Sequence, residues 1–240
     1  MEGADALCFT AKISGYYTPG TFQQYVLGPA NYVTPIPENL ESASAAPLLC
    51  AGVTSYAALR RTQAISGQWI VVSGAGGGLG HIAVQLAKGM GLRVIGIDHG
   101  SKESFVNECG AEAFVDITKH DDKSIVEEVT KIAGGLGASA VLVCTASNRA
   151  YAQALGFLRF GGTLVCVGVP EGKLEPIASA NPAAVVFKQL TIAGTAVGNR
   201  KDAAEVLDFA ARGVVKIHSR VEPLEKLDDV SAKDSTPLIS

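Results

Sequence analysis

The chain has 240 residues, 20 basic and 23 acidic side chains, a net charge of −3 and 48% hydrophobic residues. That composition is typical of a globular protein and excludes a disordered or low-complexity chain. Lys and Arg form no cluster that could follow a phosphate backbone, so we expect no nucleic acid partner. The N-terminus lacks the basic and apolar regions of a signal peptide, and the apolar runs fall far below the ~20 residues of a membrane span. We therefore expect a cytoplasmic protein that does not contact a membrane.

The five cysteines argue against a cysteine-based scaffold. They are Cys8, Cys50, Cys109, Cys144 and Cys166, an odd number without a C-x-x-C pair. A disulfide framework or a self-contained zinc finger is therefore not expected. Cys144 and Cys166 lie within apolar runs, which predicts that both thiols are buried in the core.

Three parts follow one another along the chain. Residues 1–45 contain several glycines and prolines and short β-prone pieces such as 21–26, a pattern typical of the end of a β-rich domain. Residues 46–210 are predicted to form an α/β domain. Residues 211–240 close the chain, and their last stretch, 231–240, has no apolar periodicity and is predicted to fray.

Within the α/β part, short apolar runs alternate with segments of helical spacing. Helical segments are predicted over 51–61, 82–88 and 203–210. Runs rich in Val and Ile, as in strands buried on both faces of a sheet, occur at 69–72, 92–97, 113–115, 140–143, 163–167 and 190–193. This alternation predicts right-handed βαβ units and a doubly wound parallel sheet, the Rossmann fold.

A glycine-rich turn follows the first of these predicted strands. The strict pattern G-x-G-x-x-G does not fit, whereas G-x-x-G-x-x-G fits through Gly74, Gly77 and Gly80. Such a turn lets a pyrophosphate approach bare backbone, and the helix that follows offers free N–H groups and the positive end of its dipole. The same turn would also serve tight packing of a helix on a strand, so it is weak evidence alone.

An acidic residue strengthens the prediction of a dinucleotide site. The second predicted strand ends at Asp98, 18 residues after Gly80. A carboxylate at that place can accept hydrogen bonds from ribose hydroxyls and would repel a 2′-phosphate, which favours NAD over NADP. Lys102, close by, acts in the opposite direction on that choice.

Several separate stretches carry a family resemblance. Residues 14–25, 46–56, 73–80, 94–98 and 194–200 resemble, in the same order, a fungal zinc-dependent alcohol dehydrogenase of the medium-chain dehydrogenase/reductase superfamily. The resemblance covers about residues 8–229. It implies an NAD-dependent enzyme that interconverts alcohols with aldehydes or ketones, usually as a homo-oligomer. It also implies that residues 1–45 are the remnant of a β-rich catalytic (GroES-like) domain.

The resemblance assigns roles to individual residues by matching position. Cys50 matches the third protein ligand of the catalytic zinc, and Thr54 would sit near the nicotinamide and the reacting atoms. The residues that would line the cofactor cleft are Gly77, Gly78, Leu79, Asp98, Lys102, Ile117, Val167, Val169, Thr195 and Val197.

This sequence departs from the family pattern at both ends. The family has two further zinc ligands and a four-cysteine structural zinc site ahead of this region, of which only Cys8 has a match here. The family also closes with a strand bearing a Gly-Arg pair, which is missing from 221–230. We expect His81 and His99 to border the cofactor or solvent, His120 to lie on a solvated face, and His218 to lie near the fraying end. Catalytic zinc needs three protein ligands, so we expect no retained zinc and little or no turnover.

Two other functions compete with NAD-dependent alcohol oxidation. One is a zinc-free quinone or enoyl reductase of the same superfamily, against which Cys50 and Asp98 both argue. The other is a non-catalytic dinucleotide-binding module, which would account for a cofactor cleft beside a missing catalytic domain.

Overall fold

The computed structural model describes residues 5–170, 172–173 and 175–234, and within them one sheet of six parallel strands forms the centre. The strand order is β3-β2-β1-β4-β5-β6, with every neighbouring pair parallel. The strands are β1 Trp69–Ser73, β2 Arg93–Asp98, β3 Ala113–Asp116, β4 Ala138–Val143, β5 Leu158–Cys166 and β6 Thr191–Gly194. This arrangement confirms the predicted α/β fold with a doubly wound parallel sheet.

Nine α-helices accompany the sheet in the described part of the chain. They are α1 Ser42–Pro47, α2 Val53–Arg61, α3 Gly78–Gly89, α4 Glu103–Glu108, α5 Ser124–Ile132, α6 Asn148–Ala154, α7 Pro182–Lys188, α8 Arg200–Ala211 and α9 Leu227–Asp234. A π-helical turn, Leu48–Gly52, joins α1 to α2. The three predicted helical segments correspond to α2, α3 and α8.

Both faces of the central strands β1, β2 and β4 are buried, which explains why these strands are almost entirely apolar. Side chains alternate between the faces of a strand. On β1, Ile70 and Val72 face the core shared with α2, α3 and α8, whereas Val71 faces the core shared with α5 and α6. All six residues of β4 are buried. A strand with two buried faces needs no polar positions.

The helical run Ser42–Arg61 is long and apolar enough to cross a membrane by length and composition. It is the single such run among the described residues, with a mean hydropathy of 1.2, and 44% of its most apolar window is buried inside the fold. Its C-terminal half packs against α3 and α8. The run therefore has the contacts of a core helix.

The two ends differ from the prediction. Residues 5–41 contain no strand in this structure, only an isolated bridge between Ser14 and Thr18, so the β-prone piece 21–26 is not paired. A strand needs a neighbour to satisfy its backbone groups, and no described strand lies beside this piece. At the other end, α9 reaches Asp234, so part of the stretch predicted to fray is helical. The remainder, 235–240, lies outside the described residues.

Candidate functional site

The predicted cofactor residues lie where parallel strands end. In a doubly wound sheet, ligands bind in the crevice outside the carboxyl ends of the strands, at the point where the strand order reverses. Here the order reverses between β1 and β4. The predicted residues follow the ends of five strands: Gly77, Gly78 and Leu79 after β1, Asp98 and Lys102 at and after β2, Ile117 after β3, Val167 and Val169 after β5, and Thr195 and Val197 after β6.

The glycine turn connects β1 to α3 through a tight backbone path. Gly74 has a φ of +78°, a left-handed conformation that glycine adopts without strain. The N–H of Gly77 donates to the carbonyl O of Gly74 at 3.1 Å, which closes the turn. Gly77 is the N-cap of α3, and the first backbone bond within the helix runs from His81 N–H to Gly77 O at 3.0 Å. The amides of Gly78, Leu79 and Gly80 precede that bond, at the positive end of the helix dipole.

Two glycines of the turn have opposite surroundings. A Cβ at Gly80 would overlap the carbonyl O of Gly74 and lie 2.7 Å from Ala75 Cα, so this position brings helix and strand turn into close contact. A Cβ at Gly78 would meet nothing within 4 Å. Gly80 therefore serves packing, whereas Gly78 opens onto space that a ligand can enter.

Asp98 is tied to the same turn by its carboxylate. One oxygen accepts the N–H of Gly76 at 2.8 Å and the other accepts the N–H of His99 at 2.8 Å. Lys102 donates from Nζ to the carbonyl O of Gly76 at 3.3 Å, and its side chain covers that glycine. The structure thus brings Asp98 and Lys102 together on the glycine turn. Each carboxylate oxygen keeps acceptor capacity, because it has two lone pairs.

The other predicted cleft residues lie farther along the same sheet edge. Ile117 and Val169 are exposed, and Val167 is partly buried against the core. Val197 has a φ of +55°, and its carbonyl accepts the Thr195 hydroxyl at 3.3 Å. Thr195 and Val197 line a cavity of about 300 Å³. The described lining of that cavity includes no residue of the glycine turn.

Thr54 and Cys50 lie one helical turn apart on the run that precedes the sheet. The Thr54 hydroxyl donates to the carbonyl O of Cys50 at 2.7 Å, and Thr54 is 9% exposed. Cys50 is exposed on the π-helical turn. Among the described residues, no group of three or more His, Cys, Asp or Glu side chains is placed to hold a metal ion. The residues around Cys50 therefore do not fit a catalytic zinc, which needs three protein ligands.

Two further cysteines, Cys144 and Cys166, are unsuited to nucleophilic chemistry. Cys144 and Cys166 pack against cores on opposite faces of the sheet, as predicted, and both residues are partly buried. Burial raises the pKa of Cys144 to about 12 and also raises the pKa of Cys166. A high pKa keeps a thiol protonated and unreactive.

Sequence reasoning missed two side chains that hold the glycine turn. Ser55 donates from its hydroxyl to the carbonyl O of Leu79 at 3.0 Å. His81, expected to border the cofactor or solvent, is buried, with Nδ1 2.8 Å from the carbonyl O of Gly77. His218 contacts it, with ring centroids 5.8 Å apart. The position of His81 directly after Gly80 in the sequence indicates contact with the turn. Nothing in the sequence around Ser55 indicates its contact with Leu79.

Known proteins are similar to this chain in sequence and in fold. Residues 78–212, more than half of the chain, match the family model described as zinc-binding dehydrogenase. Alcohol dehydrogenase 2 of Emericella nidulans is 62% identical over 236 residues, covering 96% of this chain and 64% of that protein. The solved alcohol dehydrogenase of Aeropyrum pernix is 26% identical with a TM-score of 0.81, covering 95% of this chain and 65% of that one. A solved NAD-dependent alcohol dehydrogenase is 27% identical with a TM-score of 0.77, covering 88% and 60%. The chain belongs to the zinc-binding dehydrogenase family.

Proposed function

We propose that the chain binds NAD at the carboxyl edge of its sheet and that its activity is hydride transfer between an alcohol and NAD. The observation that carries the proposal is the glycine turn. Open space at Gly78 lies at a helix N-terminus, and the Asp98 carboxylate is bonded to the same turn. Backbone amides at a helix N-terminus bind phosphate, and a carboxylate at the end of the second strand binds ribose hydroxyls.

Each predicted cleft residue has a role in this proposal. The amides of Gly77, Gly78 and Leu79 would bind the pyrophosphate, while Asp98 would accept hydrogen bonds from the adenosine ribose. Lys102 would lie beside that ribose. The apolar side chains and the loop after β6 would line the rest of the cleft, namely Ile117, Val167, Val169, Thr195 and Val197. Bound NAD would supply the hydride acceptor, and Thr54 would lie near its nicotinamide.

The names of the relatives support the reaction class. One relative carries the name Alcohol dehydrogenase 2, and one structural neighbour is titled an NAD-dependent alcohol dehydrogenase. On the basis of these relatives, we propose that this chain acts on an alcohol or aldehyde, forms a homo-oligomer and is located in the cytoplasm. The division into a catalytic-domain part over 1–45, an NAD-binding part over 46–210 and a C-terminal part over 211–240 belongs to the same proposal.

In our proposal, this chain differs from its family in zinc binding. Because the described residues place no group of three His, Cys, Asp or Glu side chains around Cys50, we propose that the chain does not retain zinc and transfers hydride only slowly. The check is zinc content after dialysis, for the wild type and for Cys50→Ser. The proposal that zinc is not retained would be overturned by two results together. These are about one zinc per wild-type chain that is lost in Cys50→Ser, and alcohol-dependent reduction of NAD.

Cofactor binding is tested by titrating NADH and NADPH against the intrinsic fluorescence of each nucleotide. The wild type should bind NADH at least about tenfold more tightly than NADPH, a difference of about 1.4 kcal/mol. Asp98→Asn should weaken NADH binding about tenfold, because hydrogen bonds to a charged acceptor contribute about 1.5–3 kcal/mol. The matched control is Asp208→Asn, which removes an exposed carboxylate that pairs with Arg212 on the surface of α8.

Each alternative function predicts a different outcome, either in this titration or in an assay of NADH oxidation by acetaldehyde. Preference for NADPH would favour the zinc-free reductase. NADH binding without any acetaldehyde-dependent oxidation would favour the non-catalytic dinucleotide-binding module. Absence of NADH binding by the folded wild type would overturn the proposal.

A further inference from the structure

His81 has an unusual environment in the first turn of α3. It is 6% exposed, and its Nε2 is the single buried side-chain nitrogen or oxygen atom without a hydrogen-bond partner among the described residues. Its other ring nitrogen, Nδ1, lies 2.8 Å from the carbonyl O of Gly77. Phe105 and His218 pack against the ring, with centroid distances of 5.7 and 5.8 Å.

These contacts define which nitrogen of His81 carries the hydrogen. A carbonyl oxygen only accepts, so Nδ1 must donate, and in a neutral ring Nε2 is then the unprotonated atom. The opposite tautomer would place two lone pairs against each other at Gly77 and bury a second unpaired group. Protonation of the ring is disfavoured as well, because burial lowers the pKa of His81 despite the opposing hydrogen bond to Gly77.

The hydrogen bond from His81 acts on the peptide that faces the candidate phosphate site. The carbonyl O of Gly77 accepts two hydrogen bonds from the same residue, from the backbone N–H of His81 at 3.0 Å and from its Nδ1. A trans peptide is planar, so fixing the Gly77 carbonyl also fixes the direction of the Gly78 N–H on its other side. Gly78 is the position that opens onto free space.

Glycine peptides need such a constraint because they lose the most conformational freedom on folding. We propose that His81, as the neutral Nδ1–H tautomer, is a positioning residue that holds the Gly77–Gly78 peptide with its N–H aimed at a phosphate of the dinucleotide. The inference rests on the proposed NAD site, and His81 itself touches only the protein. It contributes geometry rather than charge.

The first test does not require a nucleotide. Long-range ¹H–¹⁵N NMR of the histidine rings in the ligand-free chain, with His81 assigned by its loss in His81→Leu, reports which nitrogen is protonated. We expect the Nδ1–H form of His81 at pH 7.5. The Nε2–H form or a charged ring would overturn the proposal.

The second test separates the donor from the packing of the ring. His81→Leu fills the apolar contact with Phe105 but cannot donate to Gly77. It should weaken NADH binding about tenfold, because a Gly78 N–H that is no longer held in place makes a poorer hydrogen bond to the phosphate. His81→Asn retains an amide donor near the position of Nδ1 and should bind within about threefold of the wild type. His218→Phe is the matched control, because it keeps an aromatic neighbour and leaves the bond to Gly77 intact.

The outcomes distinguish this inference from the proposed function. Circular dichroism first confirms that every variant is folded. Equal weakening in all three variants, or wild-type affinity in His81→Leu, would overturn the positioning role while leaving NAD binding in place. If the wild type binds no NADH, the amide shift of Gly78 decides instead. The chemical shift of the Gly78 amide should differ from its wild-type value in His81→Leu and equal that value in His81→Asn. A wild-type value in His81→Leu would overturn the inference.

Discussion

Glycine residues two positions apart on one turn carry separate functions. At Gly80 the missing side chain makes room for the backbone of Gly74 and Ala75, and at Gly78 it leaves space for a ligand. The same residue type therefore serves stability at one position and binding at the other. The glycine pattern in the sequence located the turn but could not tell these roles apart, because they depend on what lies above each Cα.

Alanine substitutions should separate the two roles. Gly80→Ala is expected to lower the free energy of unfolding by about 3 kcal/mol, since its Cβ meets rigid backbone. Gly78→Ala should leave that free energy within about 1 kcal/mol, because alanine is the better helix former, yet weaken NADH binding by blocking the phosphate. Urea unfolding and NADH titration measure both. Equal stability of the two variants would contradict this assignment.

His81 also predicts how stability depends on pH. Burial lowers its pKa in the folded chain below the ordinary value of 6.5, with a smaller contribution from His218. Below about pH 6.5 the unfolded chain therefore binds a proton that the folded chain does not, so stability falls as the pH is lowered. The slope from this one group is at most about 1.4 kcal/mol per pH unit.

Urea unfolding at a series of pH values from 5 to 8 checks this prediction. The wild type should lose stability toward pH 5 more steeply than His81→Leu, which lacks the group. The two proteins share every other titrating residue, so the difference between their curves isolates His81. Parallel curves would show that its pKa is the same in the folded and unfolded chains.

Helix α8 is held to α2 by a charged residue at its N-terminus. The side chains of Asn199 and Asp202 form a capping box, and Asp202 also accepts a hydrogen bond from Arg60 of α2 at 2.7 Å. Asp202 is 5% exposed, whereas about half of the Arg60 side chain is exposed. One side chain therefore caps its own helix and fixes a neighbouring one.

Asp202→Ala should consequently lower the free energy of unfolding by about 2 kcal/mol, about half from the cap and half from the ion pair. Asp208→Ala on the same helix is the control. Its ion pair with Arg212 is exposed, and its loss should change stability by no more than about 0.5 kcal/mol. Chemical unfolding of both variants is the measurement, and similar losses in the two would refute the role given to Asp202.

At the scale of elements, the sequence predicted those features that depend on local pattern. All six strands and the helices α2, α3 and α8 lie near their predicted positions. Burial on both faces explains the continuous apolar runs of β1, β2 and β4, whereas β6 has such a run although it is mostly exposed. Strand β5 begins five residues earlier than predicted, at Leu158, where its register against β4 shifts. The piece 21–26 was predicted β-prone but is unpaired, since strand formation depends on a partner that local sequence does not reveal.

At the scale of the whole molecule, the candidate site exists because parallel strands end at one edge. Motifs spread from Gly77 to Val197 reach that edge only through the strand order. The resemblance to a family assigned these positions, and each lies at or after the end of a strand, while their role in cofactor binding stays a prediction. The contact of Ser55 with Leu79 and that of His81 with His218 could not be predicted, because they join segments 24 and 137 residues apart whose packing no local pattern describes.

A site spread over both halves of the sheet predicts that the cofactor stabilises the entire fold. A ligand that binds only the folded state adds about 2.7 kcal/mol at a concentration 100 times its Kd. For a chain of this size that corresponds to a rise in Tm of about 5–10 °C. NADH should produce this rise in a thermal scan. NADPH at the same concentration should produce a smaller one, because Asp98 repels a 2′-phosphate.

The Asp98→Asn variant sharpens the interpretation of these scans. Removing the carboxylate charge should reduce the rise in Tm with NADH. It should also reduce the difference in Tm between NADH and NADPH, because the carboxylate binds the ribose hydroxyls of one nucleotide and repels the 2′-phosphate of the other. An equal rise with NADH and NADPH in the wild type would show that the carboxylate does not face the ribose. The hydrogen bond from Gly76 to Asp98 would then only stabilise the glycine turn. Asp98 would determine the shape of the phosphate site and would not determine which nucleotide binds.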